Sequence, residues 1–187
     1  MQIDRILFPI TTLGPGNRLG IWTIGCPHSC PHCSNPELWA NDDAKDIPLS
    51  QLEVFLKEKV GLVDGVTITG GEPFYQPNEL YSLVYMLKKH NYTDILVYSG
   101  YKYEELANKF PHILQYVDVL VDGKYLDVLN NNIGHKGSSN QRCIVLNEKL
   151  QIKYSDFNEK VRERQNFISN GKIISVGIPL NDEGRNL

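Results

Sequence analysis

The period of the apolar positions changes repeatedly along the chain, and the changes divide it into alternating strands and helices. RLGIWTIGC (18–26) is a β-rich run that predicts a strand delivering a cysteine at its end. In PLSQLEVFLKEKVG (48–61) the period lengthens. Leu52, Phe55, Leu56 and Val60 share one helical face, Ser50 and Glu53 have capping-box spacing, and Gly61 supplies a stop. GVTITGG (65–71) predicts a short β-branched strand ending at two glycines. PNELYSLVYMLKKHN (77–91) predicts a second amphipathic helix, with Asn78 as its cap and Leu80, Leu83, Val84 and Leu87 facing inward. DILVYSG (94–100), KYEELANKF (102–110) and VDVLVDG (117–123) continue as strand, short helix and strand. The polar, glycine-containing stretch NNNIGHKGSSNQR (130–142) predicts a loop. After it DFNEKVRERQNF (156–167) reads as a charged helix, and NGKIISVGIP (170–179) as a strand behind an Asn170-Gly171 turn.

Strand centres near Ile68, Leu96 and Val119 recur at roughly 30 residues, the length of a βαβ unit. This predicts an α/β protein with a mostly parallel sheet and right-handed crossovers. A closed eight-unit barrel typically needs about 250 residues, so a chain of 187 predicts an open, partial (β/α) barrel. The expected organisation is a core over 1–150 and a helix-strand extension over 151–187 packed on it. In such sheets the chemistry gathers at the carboxyl ends of the strands.

Composition narrows the function classes. With 19 Lys and Arg against 22 Asp and Glu the net charge is −3, which offers no broad attraction to nucleic acid or acidic lipid. No stretch approaches the roughly 20 apolar residues of a membrane span, so the expected location is the cytoplasm. Four cysteines are too few for a disulfide scaffold in a chain of this length, and a tight cluster of three points to metal.

That cluster is GCPHSCPHCSN (25–35), with Cys26, Cys30 and Cys33 spaced C-x3-C-x2-C. Zinc competes for it, because His28 and His32 lie among the thiols. Structural zinc sites, however, usually draw on two separated ligand pairs, and no second C-x2-C or H-x3-H exists here. Cys143, in NQRCIVL, reads as a buried strand cysteine. A cubane iron–sulfur cluster normally takes four thiolates, so three in one loop leave an iron open to a chelating substrate. TGGEP (69–73), at the end of its strand, is the companion motif. Gly70 and Gly71 let a ligand approach the backbone, and Glu72 adds a carboxylate. GPGNRLG (14–20) fails G-x-G-x-x-G and precedes a strand, so it reads as a turn.

Together these motifs resemble the radical S-adenosylmethionine (SAM) superfamily. Within it, GPGNRLGIWTIGCPHSCPHCSNPELW, GVTITGGEPF, ILVYSGYKYEEL, VDVLVDGKY and KGSSNQR are similar, in order over residues 1–146, to the activating proteins of the anaerobic, class III ribonucleotide reductase. The resemblance implies a [4Fe–4S] cluster on Cys26, Cys30 and Cys33, with SAM chelating the fourth iron. It implies that Gly70, Gly71, Glu72 and Pro73 hold the methionyl end, and that His32 and Ser34 lie against the adenosine. It further implies that Ser99 bonds the ribose and that Asp122 and Lys124 grip the ammonium and carboxylate. No side chain is expected to act as acid or base. The implied reaction is reductive cleavage of SAM and hydrogen abstraction from a glycine of the reductase large subunit, with a flavodoxin- or ferredoxin-type reductant. Two alternatives stay open: a different glycyl-radical enzyme or peptide as target, and a non-enzymatic electron-transfer or zinc-binding module.

Overall fold

The computed structural model describes residues 1–169 and 171–180. Six strands form one sheet, in chain order: β1 (Ile3–Ile10), β2 (Arg18–Thr23), β3 (Gly65–Gly70), β4 (Ile95–Tyr98), β5 (Val119–Asp122) and β6 (Arg142–Val145). The four inner strands run parallel, as their spacing predicts, while β1 and β6 close the edges antiparallel. The architecture is therefore mixed α/β with a mostly parallel sheet. The strand β1 has no counterpart in the sequence reading. Its burial is mostly partial, so it lacks the continuous apolar run that marks β2.

Side chains alternate between the two faces of the pleat. Leu19, Ile21, Val66, Ile68, Ile95, Val97 and Leu120 face one layer and pack there with the helices. The helices are α1 (Leu49–Lys59), α2 (Pro77–Lys89), α3 (Tyr103–Lys109) and the single turn α4 (Pro111–Leu114). Leu80, Leu83, Val84 and Leu87 of α2 are fully buried, as predicted. Each such burial contributes about 1.5–3 kcal/mol. Two predicted caps do not form. Proline enters α2 at its first residue, so the cap is Gln76 and Asn78 lies inside the helix. The α1 helix starts two residues earlier than its capping box requires. Ser50 falls within the first turn, and Glu53 turns instead to His90 at 2.7 Å and Lys57 at 3.3 Å.

The C-terminal segment covers the other face. Tyr154 and Phe157 pack on Leu96, Val119 and Val121. The hairpin of β7 (Gln165–Ser169) and β8 (Lys172–Val176) lays Phe167, Ile174 and Val176 on Ile10, Leu13, Trp22 and Ile24. The predicted strand is β8, but the predicted charged helix over 156–167 is absent. A run of turns over 151–159 takes its place, followed by an irregular stretch and β7. Phe157 is 1% exposed, and a solvated amphipathic helix there would not bury it. The Asn170 half of the expected turn lies outside the described residues. Among the described residues no helix is long and apolar enough to cross a membrane.

Candidate functional site

All four parallel strands end at one cleft of about 700 Å³. The loop after β2 carries the three cysteines, and its fold begins with glycine. Gly25 has φ of 88°, and the N–H groups of Gly25 and Cys26 donate to the carbonyls of Leu38 and Trp39 at 2.9 and 3.0 Å. The loop is thus closed at its base by the short turn Pro36–Leu38. Within it Ser29 and His32 take φ of 46° and 57°, a left-handed conformation that costs non-glycine residues about 1–3 kcal/mol each. Such bends are what three closely spaced thiols need to reach the same cleft. Cys26, Cys30 and Cys33 are half-buried, without disulfides, and all line it.

The turn after β3 is built against this loop. The N–H groups of Gly71 and Glu72 both donate at 2.8 Å, to the carbonyls of Thr23 and Gly25 respectively. Gly70, at φ of 109°, has the backbone of Thr23 within 2.5 Å of where a Cβ would stand. At Gly71 the corresponding contact is the Gly25 carbonyl at 2.4 Å. The double glycine is therefore demanded by the cysteine loop itself, before any ligand is considered.

Glu72 is 1% exposed and ties the strand ends together. Its carboxylate accepts from the Phe74 N–H (3.0 Å), the Ser99 hydroxyl (2.9 Å) and the Gly100 N–H (2.7 Å), and pairs with His28 Nε2 at 3.0 Å. His28 also meets Tyr101 edge to face at 4.6 Å. It is thereby committed to holding the loop against β4, not turned toward the thiols as a zinc ligand would be. Among the described residues no three Cys, His, Asp or Glu side chains converge on one metal ion. A cubane asks for a different arrangement, one thiolate per iron spread around a cluster. Three half-buried thiols along one cleft wall, beside a glycine turn, fit that group. Burial raises the Cys26 and Cys30 thiols, with the neighbouring Cys33 adding to the effect at Cys30. Loading metal must therefore displace protons.

The cleft brings together Cys26, Cys30, His32, Cys33, Ser34, Gly70, Gly71, Glu72 and Ser99 of the expected set. It leaves out Pro73, Asp122 and Lys124. Pro73 is buried at the start of the turn Pro73–Tyr75. Asp122 is 1% exposed, and its carboxylate is taken by the Tyr103 N–H at 2.7 Å and by the Arg142 guanidinium. It braces β5 to α3 and β6 and has no side-chain oxygen directed at the cleft. Lys124 is exposed, and its neighbours Gly123 and Tyr125 line the cleft instead. KGSSNQR is the scaffold of that turn. Gln141 accepts from the Gly137 N–H at 2.8 Å and donates to the Gly123 carbonyl at 2.7 Å, and Asn140 donates to the Lys124 carbonyl at 2.9 Å.

Cys143, in β6, sits apart beside the Val119 and Val121 cluster, its thiol pushed up to about 12 by burial. Sequence reasoning missed two parts of the site: the bracing role of His28, and the lining contributed by Val176–Leu180 with Trp22 and Trp39. A second cavity, of about 730 Å³, lies between α3, α4 and the residues after β6 and contains none of the cysteines.

A cysteine triad and a glycine turn at the carboxyl ends of a parallel sheet are an arrangement suited to an iron–sulfur protein. Residues 12–144 match the family model of a 4Fe-4S single cluster domain. The anaerobic ribonucleoside-triphosphate reductase-activating protein of enterobacteria phage T4 is 34% identical over 146 residues, covering 76% of this chain and 92% of that protein. The protein of the same name from Haemophilus influenzae is 32% identical, over 68% of this chain and 87% of its own length. That from Escherichia coli K12 is 30% identical, over 68% and 88%. The chain belongs to the family of anaerobic ribonucleoside-triphosphate reductase-activating proteins, within the 4Fe-4S single cluster domains.

Proposed function

We propose that this chain is a radical SAM activase that installs a glycyl radical on an anaerobic ribonucleotide reductase. The observation that carries the reading is that one cleft is lined both by Cys26, Cys30 and Cys33 and by the Gly70–Glu72 turn built against their loop. When bound, the cluster and SAM supply one-electron cleavage of the sulfonium and abstraction of a hydrogen atom from the target glycine. The chain's own residues bind and orient. The three cysteines hold the cluster, and the Gly70–Glu72 turn receives the methionyl end. His32 and Ser34, exposed on either side of Cys33, face the adenosine moiety. Ser99 acts from behind, because its hydroxyl is engaged with Glu72. Glu72, braced by four partners, fixes the distance between the turn and the loop.

Asp122 and Lys124 have no part in this reading, since Asp122 is satisfied elsewhere. The sequential strand order supports an open, partial (β/α) barrel with a core over 1–150 and an extension over 151–187. A flavodoxin- or ferredoxin-type protein of the cytoplasm would supply the electron. The test is anaerobic incubation of reconstituted, reduced protein with SAM and the reductase from the same organism. The expected result is a glycyl-radical EPR doublet. SAM cleavage without the doublet would move the target to another glycyl-radical enzyme or peptide.

A further inference from the structure

Five large exposed apolar side chains lie on two segments joined to one another, one of which carries residues that line the cleft. Leu126, Val128, Leu129, Ile133 and Val161 are 42, 90, 41, 47 and 79% exposed. The first four follow the β5 turn, whose Tyr125, Asp127 and Asn130 line the cleft. Val161 comes from the C-terminal segment and joins them by a β-bridge to Ile133. Two further backbone bonds fasten the segments, Gly134 N–H to the Lys160 carbonyl at 2.9 Å and His135 N–H to the Phe157 carbonyl at 3.0 Å. The five exposed side chains thus belong to two bridged segments, one of which carries cleft-lining residues, and together they are called the lip.

Arg162 ties the lip to another part of the cleft lining. Its guanidinium donates to the carbonyls of Gly134 (3.2 Å), Lys136 (2.6 Å), Gly137 (3.2 Å) and Pro179 (2.8 Å), and to Asn130 Oδ1 at 2.8 Å. Pro179 belongs to the stretch Val176–Leu180 that also lines the cleft. One side chain therefore joins the loop over 130–137 to that stretch. Gln165 anchors the same segment, its carboxamide bonding the Thr11 N–H at 3.1 Å and the Pro9 carbonyl at 2.8 Å. The family model ends at residue 144, so Val161 and Arg162 lie beyond it.

We infer that this lip is the surface on which the glycine-bearing polypeptide partner docks, and that Arg162 is a positioning residue that sets the lip against the cleft wall. The inference rests on the activase reading, because a target glycine must reach the cleft and its flanking chain must cross the edge. A small-molecule substrate would need no apolar lip outside the cleft. Exposed apolar side chains on bridged segments that adjoin cleft-lining residues fit a macromolecular partner with an apolar segment of its own.

The test uses the reconstituted holoenzyme and the double variant Val128→Glu, Val161→Glu, both positions being exposed enough to leave folding intact. The expected result is a KM for the reductase at least tenfold higher. Iron and sulfide content, melting temperature and SAM cleavage without reductase should be unchanged. Arg162→Ala should raise the same KM, and Arg162→Lys should recover part of it, with kcat at saturating reductase held in both. Direct binding of the reductase to the wild type and the double variant, measured by sedimentation, is read alongside. If the wild type binds the reductase but yields no radical while the variant fails to bind, the lip stands and the activation reading falls. Equal binding and equal KM for wild type and double variant would overturn the lip. So would a double variant whose only change is loss of self-association.

Discussion

The parallel strands have two ends, and the chain treats them in opposite ways. At the amino ends Arg18 is fully buried, with its guanidinium on both Asp94 oxygens at 3.0 Å, on Thr67 at 2.6 Å and on the Val66 carbonyl at 2.8 Å. Lys153 and Tyr154 complete Asp94 at 2.6 and 2.7 Å. Both charges of this Arg18–Asp94 pair are met by protein. At the carboxyl ends Glu72 is satisfied just as fully, yet what it holds in place is an open cleft with three half-buried thiols. A saturated buried charge can serve either to lock a fold or to frame a site. The comparison separates the two by what lies next to the charge, and it predicts that damage at one end leaves the other nearly untouched.

The largest effects belong to the carboxyl end. Cys26→Ala, Cys30→Ala and Cys33→Ala should each abolish cluster assembly, measured as iron and sulfide after anaerobic reconstitution, while the melting temperature of the metal-free protein stays near wild type. Retention of full iron by Cys30→Ala would remove that thiol from the site. Next in size is Gly71→Ala. Its Cβ would stand 2.4 Å from the Gly25 carbonyl, so the cysteine loop must shift and iron content should fall together with the SAM-dependent EPR change. Full iron with only the SAM response lost would mean that Gly71 serves ligand approach alone, as its position in the GGEP motif suggests.

At the amino end Asp94→Asn removes one partner of a buried pair and leaves the Arg18 charge uncompensated. The expected cost is about 3–5 kcal/mol of stability, with iron content and SAM cleavage per folded molecule unchanged. Burial alone would raise the Asp94 carboxyl, but its bonds to Arg18, Lys153 and Tyr154 outweigh this and hold it below its usual range. A carboxyl whose folded pKa is depressed stabilises above its unfolded value, about 3.9. That contribution is lost as pH falls through the folded pKa. Wild-type stability should therefore drop below about pH 4, and Asp94→Asn should flatten that part of the profile. A profile unchanged by the substitution would show that the pair does not govern acid lability.

Much of this contrast was legible in the sequence, because its signals are local. The period of α2, the β-branched run of β3 and the C-x3-C-x2-C spacing each fit within a dozen residues. Non-local partners were not legible. Nothing in VDGKY tells that Arg142, twenty residues on, takes the Asp122 carboxylate, so a D-x-K pattern reads as a ligand clamp when its aspartate is a brace. Charges over 156–167 suggest the solvated face of a helix, but Arg162 spends its donors on backbone carbonyls and Gln165 pairs with the end of β1. Those contacts hold residues 160–167 in an irregular stretch and the start of β7 instead of a helix.

The smallest predicted effect concerns the fourth cysteine and sharpens the comparison most cheaply. Cys143 shares the chemistry of the triad but not its place. It lies on the edge strand β6, opposite Val121, beside an apolar cluster of Leu96, Val119 and Tyr154. Burial keeps its thiol protonated, at about 12, so it offers no thiolate at neutral pH. Cys143→Ala removes only a sulfur from a packed surface, for a cost of about 1 kcal/mol. Iron, sulfide and SAM cleavage should match wild type. In the metal-free protein at neutral pH, a thiol-alkylating reagent should label Cys143 last, since its sulfur is both neutral and packed. Labelling of Cys143 ahead of the cleft thiols, or loss of iron in Cys143→Ala, would mean that chemistry in this fold is not confined to the carboxyl ends of its strands.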